Sequence, residues 1–202
     1  MYPALFFVST DENLKQQTKN LAKWWKNHKD EVFEAIDFYV YCRWDVPSIE
    51  VLVERLSKKG SRTTTYDCEG EVFINQPGKI HISIGTRVRW TKRNLCVVIH
   101  ELIHCATLSH KDRRFNEPGL LEFWIFDELA TDLLAQYVLK KAVGFKPRIR
   151  DSVKYALVET SNSVFTDKEL RDKLARGTKR KIKTYLKTGK NFYAFRKDLM
   201  TL

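Results

Sequence analysis

The feature that most constrains this chain is a pair of histidines four residues apart in an apolar segment. The string His100-Glu-Leu-Ile-His104 is preceded by uncharged Leu95–Ile99 and followed by uncharged Cys105-Ala106. Residues four apart on an α-helix lie one above the other, so both imidazoles share one helix face. Polar groups among apolar side chains need partners. The segment therefore predicts a buried helix whose two imidazoles bind a common partner.

The glutamate between the histidines indicates what that partner is. Together the three residues form an H-E-x-x-H motif. Two imidazoles and a carboxylate favour zinc over harder cations. We therefore predict Zn²⁺ as the cofactor, His100 and His104 as ligands, and Glu101 as the general base that takes a proton from water. The competing interpretation is that both histidines are core residues satisfied by hydrogen bonds.

A catalytic zinc site needs three protein ligands, and Glu128 is our candidate for the third. It lies in Asp127-Glu-Leu-Ala-Thr-Asp132, on the apolar stripe of a long predicted helix, and Asp132 is four residues further on the same face. We predict that Glu128 binds the metal and that Asp132 accepts a hydrogen bond from the outer nitrogen of a ligand histidine. The alternative for the two carboxylates is a solvated helix face.

His110 is the other candidate for the third ligand. It stands six residues after His104, which is the ligand spacing of the metzincins. Position 107 is threonine, however, where metzincins have a glycine that lets the chain turn out of the helix. The two methionines, Met1 and Met200, are also poorly placed for a methionine turn. We therefore place His110 in the loop after the helix, where it could contact substrate or an oxyanion.

The combination of HELIH and ELATD resembles the gluzincins, the zincin metallopeptidases whose third ligand is a glutamate in an E-x-x-x-D pattern. The resemblance covers about residues 79–139. It implies a zinc metallopeptidase, an endopeptidase rather than an exopeptidase, that hydrolyses peptide or protein substrates with Glu101 as general base. It also implies that Lys79–Ile84 is an edge strand that binds the substrate backbone. Related enzymes use a second oxyanion donor, for which the sequence offers Tyr137, Tyr155, Arg113 and His110.

The predicted architecture is α+β and zincin-like. A small, mostly antiparallel sheet packs on the active-site helix and the glutamate helix, with extra helices at both ends. The predicted strands are the N-terminal segment up to Val8, Ala35–Cys42, two strands joined by a turn at Glu69-Gly70, and Lys79–Ile84. The predicted helices are Asp11–His28, Pro47–Leu56, Thr91–Ala106, Leu121–Ala142, Arg148–Ser161, Thr166–Arg176 and Arg180–Thr188.

Charge is concentrated at the C-terminal end. The chain has a net charge of +11, and residues 171–202 hold eleven Lys/Arg and two Asp, which is 11 − 2 = +9. We divide the chain into a metallopeptidase domain, residues 1–176, and a basic extension, residues 177–202. Basic residues interleaved with aromatics suit nucleic acid, which suggests a protease tethered to nucleic acid, as in the SprT-type proteases. Packing of these aromatics on the core is the simpler interpretation, and a non-catalytic zinc-binding regulatory protein is a further alternative.

The remaining features concern cellular context. The N-terminal apolar run lacks a basic region and a small-residue cleavage site, so we expect an intracellular, cytoplasmic protein without a membrane partner; a secreted form that has lost a leader stays open. None of the four cysteines belongs to a CxxC pair. We expect reduced thiols, with a Cys42–Cys68 disulfide as the alternative. The sequence does not indicate the oligomeric state.

Overall fold

The computed structural model describes residues 2–40, 44, 46–55, 68–72, 79–84, 92–108, 120–160, 168–188 and 192–201. These residues form an α+β, mostly helical fold, as predicted. The strands are β1 (Ala4–Val8), β2 (Ser48–Arg55), β3 (Cys68–Val72) and β4 (Lys79–Ile84). The helices are α1 (Lys15–Val40), α2 (Lys92–Leu108), α3 (Leu120–Val143), α4 (Ile149–Thr160), α5 (Lys168–Thr188) and α6 (Phe192–Leu199).

The four strands form one mixed sheet in the order β1-β2-β4-β3. β1 and β2 pair in parallel, β2 and β4 pair in parallel, and β3 pairs antiparallel with β4. The prediction of a mostly antiparallel sheet is therefore wrong for the described strands. The long helix α1 between β1 and β2 explains the first parallel pair, because a crossover helix returns the chain to the starting end of the sheet.

The prediction that Lys79–Ile84 is an edge strand is also wrong. This segment is a strand, as its alternation predicts, but β4 lies between β2 and β3. The outermost described strand on this side is β3, which packs against α2. The predicted turn at Glu69-Gly70 falls inside β3, where the two residues pair with Ser83 and Ile82. The strand beside the histidine helix is therefore β3.

Helix α1 extends through most of the segment predicted as the strand Ala35–Cys42, and that prediction is wrong as far as Val40. Val32, Ile36 and Val40 recur at four-residue intervals and all three are buried. This helical stripe packs into the core, and its burial outweighs the β-propensity of the aromatic and branched residues between them.

The segment after Pro47 shows the opposite error, since the predicted helix is strand β2. Ile49, Val51 and Val53 alternate with more exposed residues and are themselves fully buried. A period of two matches one buried face of a strand and does not match a helix. β2 thereby occupies the middle of the parallel part of the sheet.

Helix α3 is the centre of the helical layer. Its residues from Leu129 to Ala135 are buried, as are Val138 and Leu139, and it packs against α1, α2, α4 and α6. A helix that is apolar on most sides belongs in a core. It ends at Gly144, whose φ of +69° is readily adopted by glycine. None of the described helices combines the length and apolar character that crossing a bilayer requires.

The basic C-terminal segment belongs to the same hydrophobic core as the rest of the described chain. The predicted domain boundary at residues 176/177 lies inside α5, which joins the two helices predicted there into one. The buried hydrophobic residues of this segment, with their exposed fractions, include Ile182 0%, Tyr185 4%, Phe192 1%, Phe195 0% and Leu199 0%. Three of its aromatics are therefore packed inside, as the simpler interpretation expects, and cannot stack on bases. The division into a domain of residues 1–176 and an extension of residues 177–202 stays a prediction.

Candidate metal centre

Helix α2 presents the two histidines of the motif side by side. His100 is buried and His104 is partly buried. Their Nε2 atoms lie 2.9 Å apart, with the rings edge to face. This arrangement follows from the four-residue spacing, which stacks the two side chains on one helix face. Both imidazoles thus aim the same nitrogen at one point.

Helix α3 brings Glu128 to that point from the opposite side. Its Oε2 lies 3.1 Å from His100 Nε2, and its Oε1 lies 3.2 Å from His104 Nε2. The carboxylate is mostly buried. The structure therefore brings together the three side chains that the sequence predicts as ligands, although Glu128 is 24 residues beyond His104.

The donor set suits a metal ion. One ligand atom from each of His100, His104 and Glu128 lies within 4.8 Å of the others. Tetrahedral zinc with bonds of about 2.0–2.1 Å keeps its donor atoms about 3.3 Å apart. The distances between 2.9 and 3.2 Å in this cluster are close to that value. Among the described residues three side chains converge on this point, and a set of three protein ligands with an open fourth position is typical of catalytic rather than structural zinc sites.

In the metal-free protein, protonation of the histidines stabilises this cluster. Burial by itself would lower the pKa of His104, but the charge and hydrogen bond of Glu128, with the charges of Glu101 and Asp127, outweigh it and raise that pKa to about 9. The pKa of His100 is raised by the same competition between burial and Glu128. Burial would raise the pKa of Glu128, but the two histidines lower it overall. A cation at this point is therefore strongly favoured.

Glu101 lies beside the cluster and is not one of its three converging side chains. Its side chain is 4% exposed, and its charge contributes to raising the pKa of both His100 and His104. Burial, with a contribution from Glu101, also raises the pKa of Cys105 to about 12. In the absence of a metal, a thiol with that pKa is protonated at neutral pH and is a poor nucleophile. Cys96 and Cys105 are free thiols, and the alternative Cys42–Cys68 pairing involves Cys42, outside the described residues.

Asp127 and Arg196 are two residues of this region that the sequence analysis missed. Asp127 Oδ2 lies 3.9 Å from His104 Nδ1, the nitrogen that points away from Glu128. Its other oxygen, Oδ1, accepts a 2.8 Å hydrogen bond from Nη1 of Arg196. Asp127 directly precedes the predicted ligand Glu128, so the sequence could have indicated that it lies near the site. Nothing in the sequence pairs it with an arginine 69 residues away.

Asp132 is buried, as its place on the apolar stripe predicts. Its Oδ2 accepts a 2.9 Å hydrogen bond from Nε2 of Gln136, one turn further along α3. The same nitrogen donates to Ser152 Oγ at 2.6 Å, and Gln136 Oε1 accepts from the backbone N–H of Arg148 at 2.6 Å. Support of a ligand histidine by Asp132 stays a prediction.

The second oxyanion donor stays unassigned. His110 and Arg113 lie outside the described residues, as does the loop position predicted for His110. Tyr155 lies on α4. Tyr137 lies on α3 and is partly buried, and burial raises its pKa. None of these observations directs a hydroxyl or guanidinium towards the cluster.

Comparisons with models of protein families, with curated proteins and with solved structures return no match to this chain. The resemblance to the gluzincins therefore depends on the two sequence motifs and on the geometry of His100, His104 and Glu128.

Proposed function

We propose that this protein is a zinc-dependent metallopeptidase with a zincin-like catalytic fold. The observation that supports the proposal best is the convergence of His100, His104 and Glu128 from two helices on one point. Two imidazoles and one carboxylate with an open fourth position are the donor set of known zinc peptidases. The buried Glu101 beside them is the second support, because a hydrolytic site needs a base as well as a metal.

In this proposal the residues of the chain have separate tasks. When bound, Zn²⁺ acts as a Lewis acid that lowers the pKa of water and polarises the scissile carbonyl. His100, His104 and Glu128 hold the ion. Glu101 would take a proton from the attacking water as the new C–O bond forms, and would then pass that proton to the leaving amine as the C–N bond breaks. The exclusion of bulk water around the buried Glu101 strengthens its interactions with the reacting groups.

The proposal also assigns a place to the substrate backbone. β3 is the outermost described strand of the sheet and packs against α2, which holds the motif. An extended peptide that hydrogen-bonds to the outer edge of β3 would lie beside that helix. This assignment replaces β4, which is paired on both sides. An extended segment bound in this way favours cleavage within a chain over removal of its end.

The substitution Glu101→Gln tests the proposal. It removes the base but keeps the size of the side chain, so the variant should retain the zinc content of the wild type. We expect the rate of hydrolysis of a mixed peptide library to fall by about 10²–10⁴-fold. Glu34→Gln, the same substitution at an exposed position of α1, is the control and should leave both quantities unchanged.

Two results would contradict the proposal in different ways. Full activity in Glu101→Gln would remove the assigned base, although a metal-assisted reaction could remain. Zinc binding by the wild type without cleavage of any peptide would favour the non-catalytic, regulatory alternative. Elemental analysis of both proteins together with the library assay separates these results.

A further inference from the structure

The C-terminal helix α6 is connected to the metal centre by one ion pair. Nη1 of Arg196 lies 2.8 Å from Oδ1 of Asp127, the residue that directly precedes the predicted ligand Glu128. Both side chains are mostly buried, with exposed fractions of 16% for Arg196 and 7% for Asp127. An ion pair removed from solvent in this way is sensitive to the loss of either partner. It therefore differs from the exposed basic residues of the same segment.

The position of Arg196 is determined by the packing of α6. Phe192, Phe195 and Leu199 are almost completely buried and lie along one stripe of the helix. Arg196 stands next to this stripe, with its guanidinium 6.0 Å from the centre of the Phe192 ring. Because the helix is anchored by three core side chains, the guanidinium approaches Asp127 from a fixed direction.

Asp127 links the guanidinium to the cluster. One carboxylate oxygen accepts from Arg196, and the other faces His104 Nδ1 at 3.9 Å. That distance is too long for a hydrogen bond but is within the range of an ion pair. Without Arg196, the charge of the buried Asp127 carboxylate would be less compensated. The carboxylate would then be free to turn away from His104.

We propose that Arg196 is a positioning residue of the metal centre, which acts on His104 through Asp127 and makes α6 a structural part of the site. The groups that orient a ligand histidine influence metal affinity about 10–100-fold. The inference depends on the proposed metal site but not on peptide hydrolysis. The segment predicted as a basic extension thereby has a function in the centre itself.

The zinc dissociation constant of the full-length protein, measured by competition with a chromophoric chelator, tests this inference. Arg196→Met retains the aliphatic part of the side chain and removes the charge. We expect it to weaken zinc binding about tenfold, at the lower end of the effect of an outer partner. Arg196→Lys should recover part of the loss. Lys197→Met, at the neighbouring exposed position of α6, should bind zinc as the wild type does.

A second background tests whether Arg196 acts through Asp127. Asp127→Asn removes the charged link, so adding Arg196→Met to it should change the dissociation constant less than twofold. An unchanged constant in Arg196→Met, or the same tenfold loss in the Asp127→Asn background, would overturn the inference. Tighter binding would also overturn it, because Arg196 would then act only as a positive charge that opposes the metal.

Two further results distinguish a failure of this inference from a failure of the proposed metal site. A wild-type protein that binds no zinc would remove the metal site and the inference with it. If the wild type binds zinc and the Arg196→Met variant binds it with the same dissociation constant, the inference is overturned but the metal site is not. If circular dichroism shows that Arg196→Met does not fold, the variants Arg196→Lys and Asp127→Asn test the inference instead. Unchanged zinc dissociation constants in both variants would overturn it.

Discussion

Two buried polar clusters lie on helix α3, and they differ in how their polar atoms are satisfied. In the candidate metal cluster, formed by His100, His104 and Glu128, the imidazole nitrogens and the carboxylate point at one position. In the amide network, formed by Asp132, Gln136, Ser152 and the backbone N–H of Arg148, both the amide nitrogen and the amide oxygen of Gln136 have hydrogen-bond partners.

The comparison shows that burial of polar side chains does not by itself mark a ligand site. Gln136 supplies both donor and acceptor atoms, so its network closes without any outside group. The metal cluster converges on potential acceptor atoms, and they need a proton or a metal ion between them. Convergence of acceptors, rather than burial, therefore distinguishes the two clusters, and substitutions in each should have different effects.

The largest expected effect is on metal binding. Glu128→Ala should abolish stoichiometric zinc binding, with a loss of affinity greater than the roughly 10–100-fold that follows removal of an outer partner. The reason is that the remaining two imidazoles leave two positions of the ion without a protein ligand. Elemental analysis of the purified protein, followed by chelator competition after zinc is added back, measures this loss.

Two controls accompany this substitution. Glu34→Ala, at an exposed position of α1, should bind one zinc ion per chain as the wild type does. His110→Ala should also retain zinc if Glu128 is the third ligand. Zinc that is kept in Glu128→Ala and lost in His110→Ala would move the site towards the metzincin arrangement.

A smaller effect, on stability, is expected in the amide network. Gln136→Leu removes the donor and acceptor that link α3 to Ser152 and the backbone of Arg148, and leaves the carboxylate of Asp132 without this partner. The free energy of unfolding should fall by about 1–3 kcal/mol, measured by urea denaturation of the metal-free protein. The dissociation constant for zinc should remain that of the wild type.

The matched control is Gln16→Leu, since the amide of the exposed Gln16 donates its hydrogen bond to Asn20 at the surface of α1. It should change the free energy of unfolding by less than about 0.5 kcal/mol. A Gln136→Leu variant that loses zinc affinity but keeps its stability would show that the two clusters are one functional unit, contrary to the comparison.

A third expected effect is the dependence on pH. In the metal-free folded protein the pKa of His104 is raised to about 9, from about 6.5 in the unfolded chain. The protonated imidazole therefore stabilises the metal-free fold fully below pH about 6.5, and this stabilisation is lost as the pH rises towards 9. Zinc requires the neutral imidazole, so its apparent affinity should rise over the same range, by up to about tenfold per pH unit for each proton displaced.

The two trends together widen the gap in melting temperature between zinc-loaded and metal-free protein as the pH rises from 6.5 to 9. Thermal unfolding of both forms at several pH values in this range measures the gap. Gln136→Leu should show the same widening, because the amide network does not include His104. A gap that stays constant would mean that zinc displaces no proton from the imidazoles.

Local periodicity explains which parts of the fold could be predicted. The apolar run of α3 and the alternation of Lys79–Ile84 were sufficient for a helix and a strand at nearly their observed bounds. The strand prediction failed over Ala35–Val40, the described part of Ala35–Cys42, where β-propensity is high but the buried stripe has helical spacing. The turn prediction failed at Glu69-Gly70 because a turn-forming pair can be held in a strand by pairing on the neighbouring strand.

The amino-acid sequence was enough to predict the three converging side chains of the candidate metal cluster, because a four-residue spacing stacks His100 on His104 and the apolar stripe of α3 carries Glu128. It did not determine the strand order or the approach of Arg196 to Asp127. The physical reason is the distance along the chain over which each interaction acts. Helical spacing acts over one turn, so a short motif contains it, whereas the pairing of strands and the docking of α6 depend on the total burial of distant side chains. Only the tertiary structure decides those contacts.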